Sequence, residues 1–207
     1  MTNLQAWLDS FPEARFTGLF DTDGLTVRTH QRGKTQERHI LTRSPQFEEA
    51  MIDLVERGLQ DDCWHGLLYL MGHGTRNAFI PLYVGKAEKR GKTQQISANL
   101  RNLRSNHGFF ARWGYNTDYH VGDLSHALFH FTAYRPPSKK YERWADALFA
   151  SVDPPVLRAP VSMLLLPWYE NSRGPSGMMG SVASAEKEVI ALASALHPDT
   201  LLNIDGR

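Results

Sequence analysis

Two short apolar runs, Gly66-Leu67-Leu68-Tyr69-Leu70 and Leu82-Tyr83-Val84-Gly85-Lys86, constrain this chain more than any other feature. Each is too short for a typical helix and nearly continuous in apolar residues, the pattern of a strand covered on both faces. The loop-forming segment Gly72-His-Gly-Thr-Arg-Asn77 lies between them, so the pair reads as strand, loop, strand. Pro81 cannot donate to a sheet ladder, which places the second strand at an edge or a bulge. A buried tyrosine ordinarily fills space with its ring and finds one partner for its hydroxyl. Two tyrosines on adjacent strands beside a cationic loop can also hold a water near a phosphate.

The surrounding pattern is mixed. Residues 1–62 read as an accessory unit, with strands over 16–20 and 25–29 around the turn Asp21-Thr-Asp-Gly24. A further strand is expected over 39–42. A helix opens at Ser44-Pro45 and carries Phe47, Met51, Leu54, Val55 and Leu59 on one face. After the second tyrosine strand, residues 85–93 read as a basic connection. Ile96, Leu100 and Leu103 mark a helix stopped at Gly108. Alternation over 127–134 predicts a strand, Ser138 opens a helix to about residue 151, and 161–166 reads as another strand. A Gly/Ser-rich connector over 171–181 leads to a last helix from Ser184 to Leu196, with Pro198 beyond it. The expected fold is therefore α+β: a small antiparallel or mixed sheet flanked by helices over 63–207, with a hairpin and helix extension before it and an insertion around 109–180.

Composition excludes several classes. With 207 residues, 42% hydrophobic and 22% charged, the chain can bury a good core. A net charge of +1 gives no global field, so any polyanion must be met by a local patch. The single cysteine, Cys63, rules out an internal disulfide and suits a reducing cytoplasm. No run approaches the roughly 18 apolar residues of a membrane span. The nine histidines form no His-Glu-x-x-His pair, no Gly-x-Ser-x-Gly elbow accompanies Gly72-His73-Gly74, and the glycines of 174–180 lack a following Lys-Ser/Thr. Arg112, Trp113, Tyr115 and Tyr119 can stack on bases, or pack an irregular subdomain.

Two constellations carry chemistry. Lys86, Lys89, Arg90, Lys92, Arg101 and Arg104 cluster against one acid, Glu88. They form either a solvated face or a phosphate-binding one, since clustered cations supply most non-specific affinity for a nucleic-acid backbone. Glu186 and Glu188 begin the last helix. They either oppose its dipole, or one of them holds a hard divalent cation, since Mg²⁺ takes one or two carboxylates and fills its shell with water and phosphate oxygens.

Taken in order, these residues resemble the GIY-YIG nuclease family, most closely its restriction-endonuclease branch. Tyr69 and Tyr83 match the two tyrosine strands, Arg101 or Arg104 the arginine helix, and Glu186 the metal-binding glutamate. Pro198 and Asn203 match the closing proline and asparagine. The first motif has two residues between Gly66 and Tyr69 where the family has one, which calls for a bulge. In the helix motif, Leu100 and His107 keep the family spacing, while Leu103 takes the arginine position beside Arg104.

The resemblance implies a cytoplasmic metal-dependent endonuclease using Mg²⁺ or Mn²⁺ on DNA, in a restriction or phage-defence setting. A homodimer is expected if the cut site is palindromic. Tyr69 or Tyr83 would serve the attacking water, aided by Lys86 or His107. Arg104 or Arg101 would offset transition-state charge, and Glu186 (or Glu188) would hold the metal. Lys89, Arg90, Lys92 and Asn203 would contact substrate. A DNA-binding module with a decayed core, or a structure-specific or RNA nuclease with the same site, are the alternatives.

Overall fold

A computed structural model of the chain describes residues 4–33, 38–91, 93–110, 120–131 and 136–204. In chain order these form α1 (Leu4–Asp9), β1 (Arg15–Gly18), β2 (Thr22–Asp23), β3 (Thr26–Val27), β4 (Thr29–Arg32), β5 (Arg38–Leu41), α2 (Pro45–Gln60), β6 (Trp64–Thr75) and β7 (Ala78–Glu88). A single 3₁₀ turn over His107–Phe109 follows. Then come α3 (Val121–Phe129), α4 (Lys139–Leu148), β8 (Phe149–Val152), β9 (Pro155–Leu157), β10 (Ser162–Tyr169) and α5 (Val182–Leu196). The chain is α+β, with antiparallel sheets.

The central sheet runs β1-β10-β6-β7. It is covered on both sides, which explains the unbroken apolar runs. On one face Leu67, Tyr69, Met71 and Tyr83 join a core with Phe47, Met51, Tyr141, Trp144 and Leu148. On the other, Leu68, Leu70 and Val84 pack with Leu4, Trp7, Val182, Ala185 and Val189. So α2 and α4 lie on the tyrosine face, and α1 and α5 on the reverse.

β6 and β7 are longer than the sequence pattern suggests. Pairing runs from Gly66↔Glu88 to Thr75↔Ala78, so the expected loop 72–77 shrinks to a turn at Arg76-Asn77. The basic connection after Gly85 is likewise strand as far as Glu88. Pro81 satisfies both expectations at once, because β7 is the outer strand and Leu82 lies unopposed where the register shifts between Met71 and Gly72.

Helix boundaries follow their caps. Ser44 accepts from the backbone N–H of Phe47 at 3.2 Å with Pro45 in the first turn of α2, and Ser181 accepts from Ser184 at 3.1 Å to start α5. Two expectations fail. The helix predicted around Leu100 and Leu103 is a series of turns, interrupted by Asn102 with φ +55°. The strand predicted over 127–134 is instead α3 through Phe129, because Val121, Leu124, Ala127 and Leu128 share a helical face that buries. Residues 132–134 lie outside the described residues.

The N-terminal stretch joins the same architecture: β1 is the far strand of the central sheet and α1 packs in the core behind it. The turn at Gly24, φ +60°, sits between the short strands β2 and β3.

A candidate active site at the outer strand of the sheet

Register places Tyr69 and Tyr83 on one face without a further bulge, since Tyr69 lies opposite Gly85 and Met71 opposite Tyr83. Their ring centroids are 6.4 Å apart. Gly85 is small for a reason. A Cβ there would lie 2.6 Å from the Tyr69 hydroxyl oxygen and closer still to two ring carbons. The Tyr69 ring therefore lies flat over the backbone of β7 and is fully buried.

Tyr83 lies beside the Tyr69 ring, 7% exposed. Its ring is 4.7 Å from Trp144 and 5.4 Å from His120 by centroids. Lys140, in the first turn of α4, donates from Nζ to the Tyr83 hydroxyl at 3.4 Å. The same ammonium lies 4.7 Å over the Tyr83 ring and 5.2 Å over both Tyr141 and Trp144. Aromatic faces attract a cation, more strongly where water is excluded.

His120 occupies the bottom of the cluster. It is 1% exposed, and its φ of +37° is an uncommon conformation for a non-glycine residue. Its Nδ1 is 2.5 Å from the Tyr141 hydroxyl. Burial, then the nearby Lys140 charge, hold the imidazole well below its usual pKa. Burial, then Asp123 and Tyr83, push the Tyr141 phenol up. Both groups are neutral at pH 7, so Tyr141 donates to Nδ1 and the His120 proton resides on Nε2.

The reverse side of the same strand carries the carboxylates. Lys86 and Glu88 face α5, opposite in direction to Tyr83, and pair at 2.8 Å. Glu186, half-buried on α5, responds to this group. Burial raises its pKa, Lys86 opposes the rise, Glu88 adds to it, and Lys187 and Lys140 oppose it. Lys140 thus acts electrostatically on both His120 and Glu186, linking the two sides of β7. Beside Glu88 opens a cleft of about 270 Å³ lined by His65, Lys89, Arg90, Ser181 and Val182, among others. A larger cleft, about 670 Å³, lies between α1 and residues 171–177 and shares no residue with this cluster.

The remaining sequence candidates are held elsewhere. Arg104 grips Glu56 of α2 with three hydrogen bonds of 2.6–3.1 Å. Arg101 is exposed on the turns that replace the expected helix. His107 pairs with Glu48 at 2.9 Å, beside the buried Arg43. Lys89 is 7% exposed and donates to the Asp61 carbonyl, and Arg90 donates to that of Gln94. Asn203 is buried against the backbone of Val84. Glu188 accepts from the Ser176 hydroxyl and N–H. Lys92, Arg112, Trp113, Tyr115 and Tyr119 lie outside the described residues.

The structure therefore gathers Tyr83, Lys86 and Glu186 around the outer strand, with Tyr69 buried on the neighbouring β6, while Arg104 and His107 pair with Glu56 and Glu48 and Arg101 is exposed. It adds Lys140, His120 and Tyr141, which sequence reasoning missed. One signal was legible: Lys139 and Lys140 open α4, where the helix dipole disfavours cations.

No family model matches the chain, and neither a curated protein nor a solved structure is similar to it.

Proposed function

We propose that this chain is a divalent-metal-dependent DNA endonuclease, hydrolysing phosphodiesters at the outer strand β7. The observation that carries the reading is the place of Lys140, whose ammonium donates to the Tyr83 hydroxyl on one face of β7 and whose charge is felt by Glu186 on the other. A polar hydroxyl beside a cation on one side and a carboxylate pair on the other suits a phosphate approached edge-on. The resemblance of the Tyr69, Tyr83 and Glu186 motifs to GIY-YIG nucleases supports the same class and favours a restriction or phage-defence setting.

The donor set fits a hard cation. Glu186, with Glu88 close enough to raise its pKa, offers one or two carboxylates in a half-buried setting, as Mg²⁺ or Mn²⁺ sites require when phosphate oxygens and water complete the shell. Among the described residues no group of three or more His, Cys, Asp or Glu converges, so Glu186 and Glu88 would hold the ion with substrate. When bound, such an ion supplies charge stabilisation at the leaving oxygen.

The protein's own part is positioning and proton transfer. Tyr83, as phenolate, accepts a proton from the attacking water as the new P–O bond forms. The leaving oxygen departs with the electron pair of the broken P–O bond and takes a proton from solvent. Tyr69, buried beneath, fixes the backbone of β7 at Gly85 and with it the strand on which Tyr83 stands.

Plasmid incubated with the purified protein and Mg²⁺ or Mn²⁺ tests this reading, alongside Glu186→Ala and Tyr83→Phe. Cleavage by the wild type, lost in both variants, is expected. Cleavage that survives Glu186→Ala sinks the metal role. DNA binding without cleavage favours the second reading, a binding module with a decayed core, to which the displacement of Arg101 and Arg104 from the site lends support.

A further inference from the structure

We infer that Lys140 is a catalytic residue, the cation that both activates Tyr83 and meets the scissile phosphate. The assignment rests on the endonuclease reading. A free tyrosine ionises near pH 10, so a tyrosine serving as base at neutral pH needs a positive neighbour to favour its phenolate. Lys140 is that neighbour, with Nζ donating to the hydroxyl at 3.4 Å.

Its placement argues for a use beyond packing. Two lysines begin α4, where the exposed N–H groups already repel positive charge. The Lys140 ammonium is then turned inward over three aromatic rings, half-buried, where a solvated lysine would point outward. A cation held at 4.7–5.2 Å from three ring centroids has its position fixed before substrate arrives. Pre-set charge of this kind stabilises a transition state without reorganisation at the moment of reaction. Of the arginines expected to offset phosphorane charge, Arg104 is engaged on Glu56 and Arg101 is exposed.

Tyr83 on β7 and Tyr141 and Trp144 on α4 lie against the Lys140 ammonium, while His120 ahead of α3 and Glu186 on α5 feel its charge. His120 is kept neutral, so on the tyrosine face of β7 the positive charge beside Tyr83 is that of Lys140.

Lys140→Met keeps the apolar stem over the rings and removes the charge; Lys140→Arg keeps charge with altered shape. With plasmid and Mg²⁺, Lys140→Met is expected to lose cleavage by about 100-fold or more, the scale of removing one preorganised stabiliser. Its residual rate should rise at higher pH than the wild type's, because Tyr83 ionises later without its cation. Lys140→Arg should retain cleavage to within about tenfold. Short-duplex binding in Ca²⁺ should weaken far less than the rate. A Lys140→Met enzyme within threefold of wild type overturns the assignment, as does a loss of rate with an unshifted pH profile. Should the Met variant not fold, a folded Lys140→Arg as slow as Glu186→Ala, on an unshifted profile, does the same. A wild type that cuts nothing with Mg²⁺ or Mn²⁺ removes the endonuclease reading, and the assignment with it.

Discussion

The side-chain amide of Asn203 closes a two-point clamp on Val84, accepting from its N–H and donating to its carbonyl, each at 2.9 Å. Leu202 adds a backbone bond from its N–H to the Leu82 carbonyl at 2.6 Å. The tail thus substitutes for a neighbouring strand along the outer edge of β7, next to Tyr83. Asn203→Ala leaves two buried backbone groups unpaired, at about 1–3 kcal/mol each. For a chain of this size that is a fall in Tm of roughly 4–24 °C, to be read by thermal denaturation at constant pH. Asn203→Asp keeps the acceptor but turns a carboxylate on the Val84 carbonyl, and is expected to be no better. An unchanged Tm would remove the clamp from the list of stabilising contacts.

Gly85→Ala drives a methyl group into the Tyr69 ring. Overpacking of this kind costs about 1–3 kcal/mol, and a Tyr69→Ala background should relieve most of it. Double-mutant coupling in urea titrations measures this directly. Additive effects would show that the two residues do not touch in solution.

Glu186→Gln separates function from stability. The Glu186 pKa is raised in the fold, chiefly by burial. Its contribution to stability is therefore present below the unfolded carboxylate pKa and lost as pH rises through the folded one. At pH 7 the ionised side chain costs stability, and the neutral amide removes that cost. Cleavage should disappear while Tm at pH 7 holds or rises by about 2 °C. A clear fall in Tm at pH 7 would contradict the electrostatic assignment.

The opposite slope belongs to His120. Burial, then Lys140, lower its folded pKa, so below about pH 6.5 the unfolded chain takes up a proton that the fold refuses. Tm should decline between pH 7 and 5, and His120→Gln should flatten that decline even if it lowers Tm at pH 7. A variant with the same slope as wild type would place the acid sensitivity elsewhere.

Arg104→Ala and Arg101→Ala should leave cleavage within about threefold of wild type. Both side chains are exposed, and the Arg104 fork lies on Glu56. Kinetics on a single-site substrate decide it, and a loss matching that of Glu186→Ala would restore an arginine to the site.

Why these two arginines mislead is physical. Leu100 and Leu103 have helical spacing and do bury, yet Asn102 adopts φ +55° and breaks the turn. A short polar residue can take either conformation, and only tertiary packing decides between them. The helices at α2 and α5 were legible because Ser44 and Ser181 cap apolar faces of several turns. The tyrosine strands were legible for the same reason, a periodic burial signal long enough to outweigh local ambiguity. Lys140 and His120 were not, since their partners Tyr83, Tyr141 and Glu186 come from separate elements and no local spacing encodes the meeting. α3 reversed its expected class because the two periods compete over so short a segment.

Because Tyr83, Lys140 and Glu186 arrive from strand and helices on opposite faces of one sheet, no fragment of the chain holds the whole site. In refolding from denaturant, cleavage should therefore be the last property to return, after helical signal and after burial of the tryptophans. Loop closure across these sequence separations has to precede it. Under the proposed activity, turnover would then serve as a clock for completion of the chain's long-range topology.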